Sequence, residues 1–199
     1  AWYVLGKLLR AEARNEEAAA AFAAAHRIDP GNFGMESLQL HALNLSDRVS
    51  AADLFERHRA FGERLEAAVA PRFKDYAGDQ RLERRLRIGY VSSDFNWHPV
   101  AIFTLPLLER HDRAVCEVVG YYTGSGADET TARLRAAADA WRDAADLSDE
   151  ELADLIHRDA IDVLVDLSGH SGVCRLGVFA RQPAPVQLSW LGYLHTTGL

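Results

Sequence analysis

Cysteine, methionine and basic charge are all scarce in this chain of 199 residues. The two cysteines, Cys116 and Cys174, belong to no CxxC pair. That suits two buried thiols in a reducing compartment. No apolar run approaches the roughly 20 residues of a membrane span, and no signal-peptide pattern opens the chain. The expected location is therefore cytoplasmic. Lys and Arg number 22 against 29 Asp and Glu, a net charge of −7. A nucleic-acid partner needs a basic face and is not expected. There is no HExxH and no EF-hand loop, so no metal is expected. There is no Gly-x-Ser-x-Gly elbow either, which argues against a serine hydrolase.

What remains is an ordinary globular composition, 48% hydrophobic and 26% charged, long enough for one α/β domain and something smaller. The chain opens on Ala1 inside an apparent helix and stops on Leu199 just after a Gly/Thr loop. It reads as part of a longer protein.

Residues 1–32 read as two helices with a break near Arg14-Asn15-Glu16 and a stop at Pro30-Gly31. Trp2, Leu5, Gly6, Ala18, Phe22, Ala25 and Pro30 fall at tetratricopeptide-repeat spacing, with Leu9 where that repeat usually has Tyr. Small Gly6 and Ala18 let the helices approach while Trp2, Leu5 and Phe22 fill the seam. A single repeat cannot bury its own faces, so others are expected before it, together forming a groove for protein partners.

Residues 33–85 read as a helical linker. Leu38, Leu40, Leu43, Leu45, Leu54, Phe55, Phe61, Leu65 and Val69 have helical spacing, and Ser50 with Asp53 can cap the second helix. Arg57, His58, Arg59, Glu63, Arg64 and Glu66 read as a solvated face. Pro71, Gly78 and the charged run 81–85 mark the boundary before a sheet domain.

From Leu86 the period changes. LRIGYVS, CEVVGYYT, WRDAADL, IDVLVDL and PVQLSW read as strands, separated by helices near 100–112, 124–140, 148–159 and 174–181. Such alternation predicts an α/β lobe, a Rossmann-like parallel sheet over 86–199. Sites in such sheets collect at the carboxyl ends of strands: here Ser92–His98, Thr123–Gly126, Ser168–Gly172 and Gly192–Gly198.

Two tempting motifs fail. Gly124-Ser125-Gly126 lacks the third glycine of a dinucleotide fingerprint, since position 129 is Glu, and it follows the second strand. His157-Arg158-Asp159 imitates a kinase catalytic loop, but the required Asn is Leu164. His98 is the better candidate. It stands in a loop after a strand and beside Pro99, and an imidazole there can exchange a proton with a hydroxyl. His170 and His195 project from other strand ends and could join it in one cleft.

LRIGYVSSDFNWHP, IDVLVDLSGHSG and VFARQPAPVQLSWLGYLHTTG resemble the N-terminal catalytic lobe of the O-linked N-acetylglucosamine transferases and SPINDLY-type transferases. The resemblance spans about 86–199. It implies the first half of a two-lobed GT-B glycosyltransferase, inverting and metal-independent, with no cofactor. The donor would be UDP-GlcNAc, held mostly by a second lobe beyond Leu199, and helical repeats would present Ser/Thr protein acceptors. His98 matches the His of the family's DFxxHP segment, a candidate general base. His157 matches a second His near the donor, with Asp154 one helical turn before it, although its place on a helix also suits a structural role. Asp94, Pro99, His170, Gly192, Thr196 and Thr197 complete the candidate site as substrate-binding residues.

Two departures stand out. The family loop GYPxTxG has Leu194 and His195 in place of Pro and its neighbour, and Cys174 replaces a frequent Asn. The donor sugar therefore stays open between GlcNAc, fucose from GDP-fucose, and another sugar. A non-catalytic interaction scaffold is the reading from another class.

Overall fold

The computed structural model describes residues 1–69, 73–76 and 83–199; Pro71, Gly78 and residues 81–82 of the expected boundary lie outside them. The chain forms two compact units, one of Ala1–Ala68 with Tyr193–Leu199 and one of Val69–Gly192.

The first unit is all-α: α1 (Trp2–Ala11), α2 (Asn15–Ile28), α3 (Phe33–Asn44) and α4 (Ala51–Ala68), packed in sequence order. The cap expected for α4 is present, with Asp53 N–H donating to Ser50 Oγ at 3.1 Å. Leu9, Ala18, Phe22, Ala42, Leu43 and Leu54 share a core. A β-carbon on Gly6 would come within 2.6 Å of the Phe22 ring, so glycine permits that approach. Trp2 and Leu5 do not fill the seam as expected; they are 46% and 42% exposed on the outer side of α1. Leu45 and Phe55 are also exposed.

The second unit holds five parallel strands: β1 (Leu86–Ser92), β2 (Cys116–Tyr122), β3 (Ala140–Asp143), β4 (Val163–Asp166) and β5 (Val186–Ser189). Their order is β3-β2-β1-β4-β5, each pair parallel. Helices α5 (Pro99–Arg110), α6 (Glu129–Ala137), α7 (Asp149–Arg158) and α8 (Leu176–Phe179) connect them. This is the expected α/β lobe.

Period-two alternation separates its two cores. Val91, Val119, Tyr121 and Leu164 pack on one side with Leu152, Ile156, Val178 and Phe179 of α7 and α8. Tyr90, Val118 and Val165 pack on the other with Val100, Leu105 and Leu108 of α5 and Leu134 of α6. Both faces are covered, as a parallel sheet requires. Each fully buried aliphatic side chain contributes about 1.5–3 kcal/mol.

The predicted capping box of α7 is formed, with Glu151 N–H donating to Ser148 Oγ and the Glu151 carboxylate accepting from Ser148 N–H. Asp128 and Thr131 make a second one on α6. Cys116 is buried, whereas Cys174 is only half-buried.

Candidate active site

The chain leaves β1 to build β2 and β3 on one side, then crosses back to build β4 and β5 on the other. The carboxyl ends of β1 and β4 therefore flank the topological switch point, where open α/β sheets bind ligands. The loops after these two strands meet there. A β-carbon on Gly172, whose φ is +57°, would lie 3.3 Å from Ser93 Oγ and 3.8 Å from Asp94 Oδ1. Gly192 approaches the same end, since its β-carbon would fall 1.7 Å from Leu167 O. Ser93, Asp94, His98, Pro99, Ser168, His170, Gly172 and Gly192 thus share one end of the sheet.

Each loop is fixed by its own hydrogen bonds. Ser92 Oγ accepts from Asp94 N–H at 2.9 Å, and Ser93 Oγ donates to Asp94 Oδ1 at 3.1 Å. After β4, the buried Asp166 carboxylate accepts from Ser168 N–H, Gly169 N–H and the Ser189 hydroxyl at 2.8–3.0 Å. Burial pushes the Asp166 carboxyl above its ordinary range despite those three donors. Ser168 Oγ is buried with no hydrogen-bond partner among the described residues, a hydroxyl left over at the switch point. Leu191 has φ +74°, and Gly192 N–H donates to Trp190 O at 2.9 Å. That is a γ-turn, which a side chain makes strained.

His98 is the N-cap of α5: its Nδ1 accepts from Val100 N–H at 3.2 Å, and Pro99 takes the first helical position. The lone pair of Nδ1 is thereby used, so the neutral ring carries its proton on Nε2. The side chain is 43% exposed, and Asp94 Oδ2 lies 3.9 Å from Nδ1. His98 is therefore set to donate from Nε2. To accept a proton there it would have to carry hydrogen on Nδ1 and abandon the cap, at a cost of about 0.5–2 kcal/mol.

The other expected residues are placed differently. His170 is at the right end of the sheet but fully buried. His157 and Asp154 are not brought to His98. A helix that returns from β3 to β4 ends near the amino ends of the strands. There the Asp159 main-chain oxygen accepts from Arg87 of β1, and Asp162 accepts from Arg87 N–H. His157 stacks on Phe73 with ring centroids 4.0 Å apart, a packing role. Thr196, Thr197 and His195 belong to the first unit, where Thr196 Oγ1 and Thr197 Oγ1 accept from Gly198 N–H and Leu199 N–H.

One correction concerns α4. His58, grouped above with a solvated face, is fully buried. It lies on the stripe Leu54, His58, Phe61 and Leu65, all buried and spaced by three or four residues. That periodicity was the signal for it.

No group of three or more His, Cys, Asp or Glu suited to a metal occurs among the described residues. No described helix is long and apolar enough to cross a membrane.

A doubly wound parallel lobe with polar loops gathered at its switch point has the form of an α/β ligand-binding domain. Residues 40–199 match the sequence model of Glycosyl transferase family 41, and the chain belongs to that family. It is 36% identical over 177 residues to a Hordeum vulgare protein named "Probable UDP-N-acetylglucosamine--peptide N-acetylglucosaminyltransferase SPINDLY", covering 87% of this chain and 19% of the relative. An Arabidopsis thaliana protein of the same description, designated SEC, is 37% identical over 116 residues, 58% of this chain and 12% of its own. Among solved structures, a mutant O-GlcNAc transferase of Thermobaculum terrenum superposes with a TM-score of 0.92 at 39% identity. The match covers 100% of this chain and 38% of that one. The chain thus spans about a fifth of the curated relatives' length.

Proposed function

We propose that this chain is the N-terminal catalytic lobe, with the helices ahead of it, of a protein O-glycosyltransferase that uses UDP-GlcNAc. The family match supports the class, and the observation that carries the reading is His98, capped through Nδ1 and free to donate from Nε2 at the switch point. In this reading 1–32 is the last tetratricopeptide repeat of an array that binds protein acceptors, 33–85 is a helical linker and 86–199 is the lobe. A second lobe completes the donor site, and the enzyme works in the cytoplasm.

The reaction is inverting and needs no metal. An acceptor Ser or Thr hydroxyl attacks the anomeric carbon, its oxygen forms the new glycosidic bond, and the bond to UDP breaks. The hydroxyl proton must leave and the charge growing on UDP must be stabilised. His98 serves as donor and orienting group. The proton passes to a donor phosphate oxygen, because His98 Nε2 already carries hydrogen. Asp94 and Ser93 hold the loop in place, Gly172 and Gly192 let the loops pack closely on one another, and the Ser168 hydroxyl is a spare polar contact for the ligand.

The test is sugar transfer by the full-length protein to a Ser/Thr peptide pool, comparing UDP-GlcNAc with GDP-fucose. Turnover with UDP-GlcNAc is expected. Turnover with GDP-fucose alone would reassign the sugar, and peptide binding without turnover on either donor would identify a scaffold.

A further inference from the structure

Helix α5 departs from the pattern of a helix with one face on a sheet and the other in water. Its inner residues Val100, Ala101, Thr104, Leu105 and Leu108 are buried, as the covering of a parallel sheet requires. Its outer side should be polar, and in the last turn it is. Glu109 and Arg110 are exposed there, with Glu109 3.7 Å from Arg133. In the first two turns it is not. Pro99, Ile102, Phe103 and Pro106 recur at spacings of three and four residues and are all exposed, Ile102 at 52% and Phe103 at 61%. Trp97, just ahead of the helix, adds a third large apolar group and is 79% exposed.

The apolar half is the half nearest the switch point. Because α5 follows β1, its first turn lies at the carboxyl end of the sheet beside Asp94 and His98, and its charged last turn lies at the other end. The loop that carries Trp97 is held firmly. Trp97 N–H donates to Asp128 Oδ2 at 2.7 Å, while Asp128 Oδ1 accepts from Thr131 N–H in the first turn of α6. A large aromatic side chain on an anchored main chain gives up little freedom when it is covered, which suits it to the centre of an interface. From Trp97 to Pro106 the chain has no Asp, Glu, Lys or Arg. Permanent interfaces are that apolar, whereas transient ones are about as polar as ordinary surface.

We infer that the outer face of α5, from Trp97 to Pro106, is an interface permanently covered by the same polypeptide, by the lobe that follows Leu199. This chain accounts for 38% of the Thermobaculum terrenum chain that matches it from end to end, so a relative of the same fold carries more polypeptide outside this region than within it. An element that closes over the switch point meets Trp97 and the first two turns of α5 and stops short of Glu109 and Arg110, which is where the apolar stripe ends. A protein acceptor that comes and goes fits less well, since it would leave Trp97, Ile102 and Phe103 in water at every departure. That the covering segment is the second lobe rests on the function proposed above; that the face is covered does not.

The test uses the full-length protein and follows Trp97 by fluorescence, as the difference between wild type and Trp97→Phe. A covered face predicts a Trp97 component that is shifted to the blue and loses most of its quenching by acrylamide relative to the unfolded chain, at every protein concentration and without added peptide. Phe103→Glu sets a carboxylate against an apolar partner, so Trp97, read against the matching double variant, should become freely quenched. Phe103 belongs to neither core of the sheet, so circular dichroism should show that variant folded. Arg110→Glu, on the charged turn of the same side, should leave Trp97 protected. A red-shifted, freely quenched Trp97 in the folded wild type would overturn the inference, as would unaltered protection in Phe103→Glu. Protection that needs the Ser/Thr peptide pool would overturn it in favour of acceptors, and protection lost on dilution in favour of a second copy. A protected Trp97 in a protein that turns over neither UDP-GlcNAc nor GDP-fucose would leave the interface standing and remove the proposed function instead.

Discussion

At the scale of single residues, His98 shows how a cap can decide a protonation state. Its place after a strand and before Pro99 was legible in the sequence, because that loop position exposes a side chain at the sheet's end. Its tautomer was not, since that depends on Val100 N–H pointing at Nδ1. The two roles can be separated. Asparagine is a good N-cap but too short to reach where Nε2 lies. His98→Asn should leave the thermal midpoint within about 2 °C of wild type, a shift under ~0.5 kcal/mol, while kcat for sugar transfer falls at least tenfold. A lowered midpoint with unchanged kcat would make His98 a cap and nothing more. Leu191 was illegible for a different reason: leucine has no preference for positive φ, so nothing in its identity marks the turn it occupies. His58 is legible in its spacing but masked by its neighbours. The charges of Arg57, Arg59, Glu63 and Arg64 around it suggested solvent, whereas its spacing from Leu54 and Phe61 placed it on the buried stripe.

At the scale of elements, strands and helices followed their patterns closely because local signals and tertiary demand agree. Adjacent residues such as Tyr90 and Val91 face opposite cores, and the Ser148–Glu151 box starts α7 where the sequence placed it. The pattern failed on α1, where Trp2 and Leu5 suit a partner surface as well as a seam and periodicity cannot tell the two apart. The start of β1 is pinned electrostatically. Arg84 grips both oxygens of Asp162, which also accepts from Arg87 N–H. Burial pushes the Asp162 carboxyl up, but these donors outweigh it and hold it below the ordinary range. A carboxyl lowered on folding stabilises above its unfolded pKa, and that contribution disappears as pH falls through the folded value. Asp162→Asn should therefore cost about 1–3 kcal/mol at pH 7, and the gap to wild type should close below about pH 4. Denaturant midpoints at pH 7 and pH 3 check this. On α4, Gly62→Ala forces a methyl group against Gly198 O. A loss of about 1–3 kcal/mol or more is expected in the same assay, and a neutral result would show that the segment carrying Gly198 does not rest on the helix.

At the scale of the whole molecule, the parallel order β3-β2-β1-β4-β5 places the switch point between β1 and β4, and the chain belongs to Glycosyl transferase family 41. Much of this was visible in the alternation of strands with helices and in three long motifs. The division of labour within the motifs was not, because resemblance carries residues over by position and the fold then places them. His98 comes to the switch point, whereas His157 falls at the far end of its helix beside Phe73. The proposed role of His98 in sugar transfer is that of a hydrogen-bond donor. It is tested most directly by the pH profile of kcat in the full-length enzyme with UDP-GlcNAc, wild type beside His98→Gln, whose amide also donates. A general base would show activity falling as the histidine is protonated and would be lost in the glutamine variant. A donor predicts that His98→Gln keeps at least about a tenth of wild-type kcat, one hydrogen bond's worth, with the acid limb unmoved. A thousandfold loss together with disappearance of that limb would contradict it.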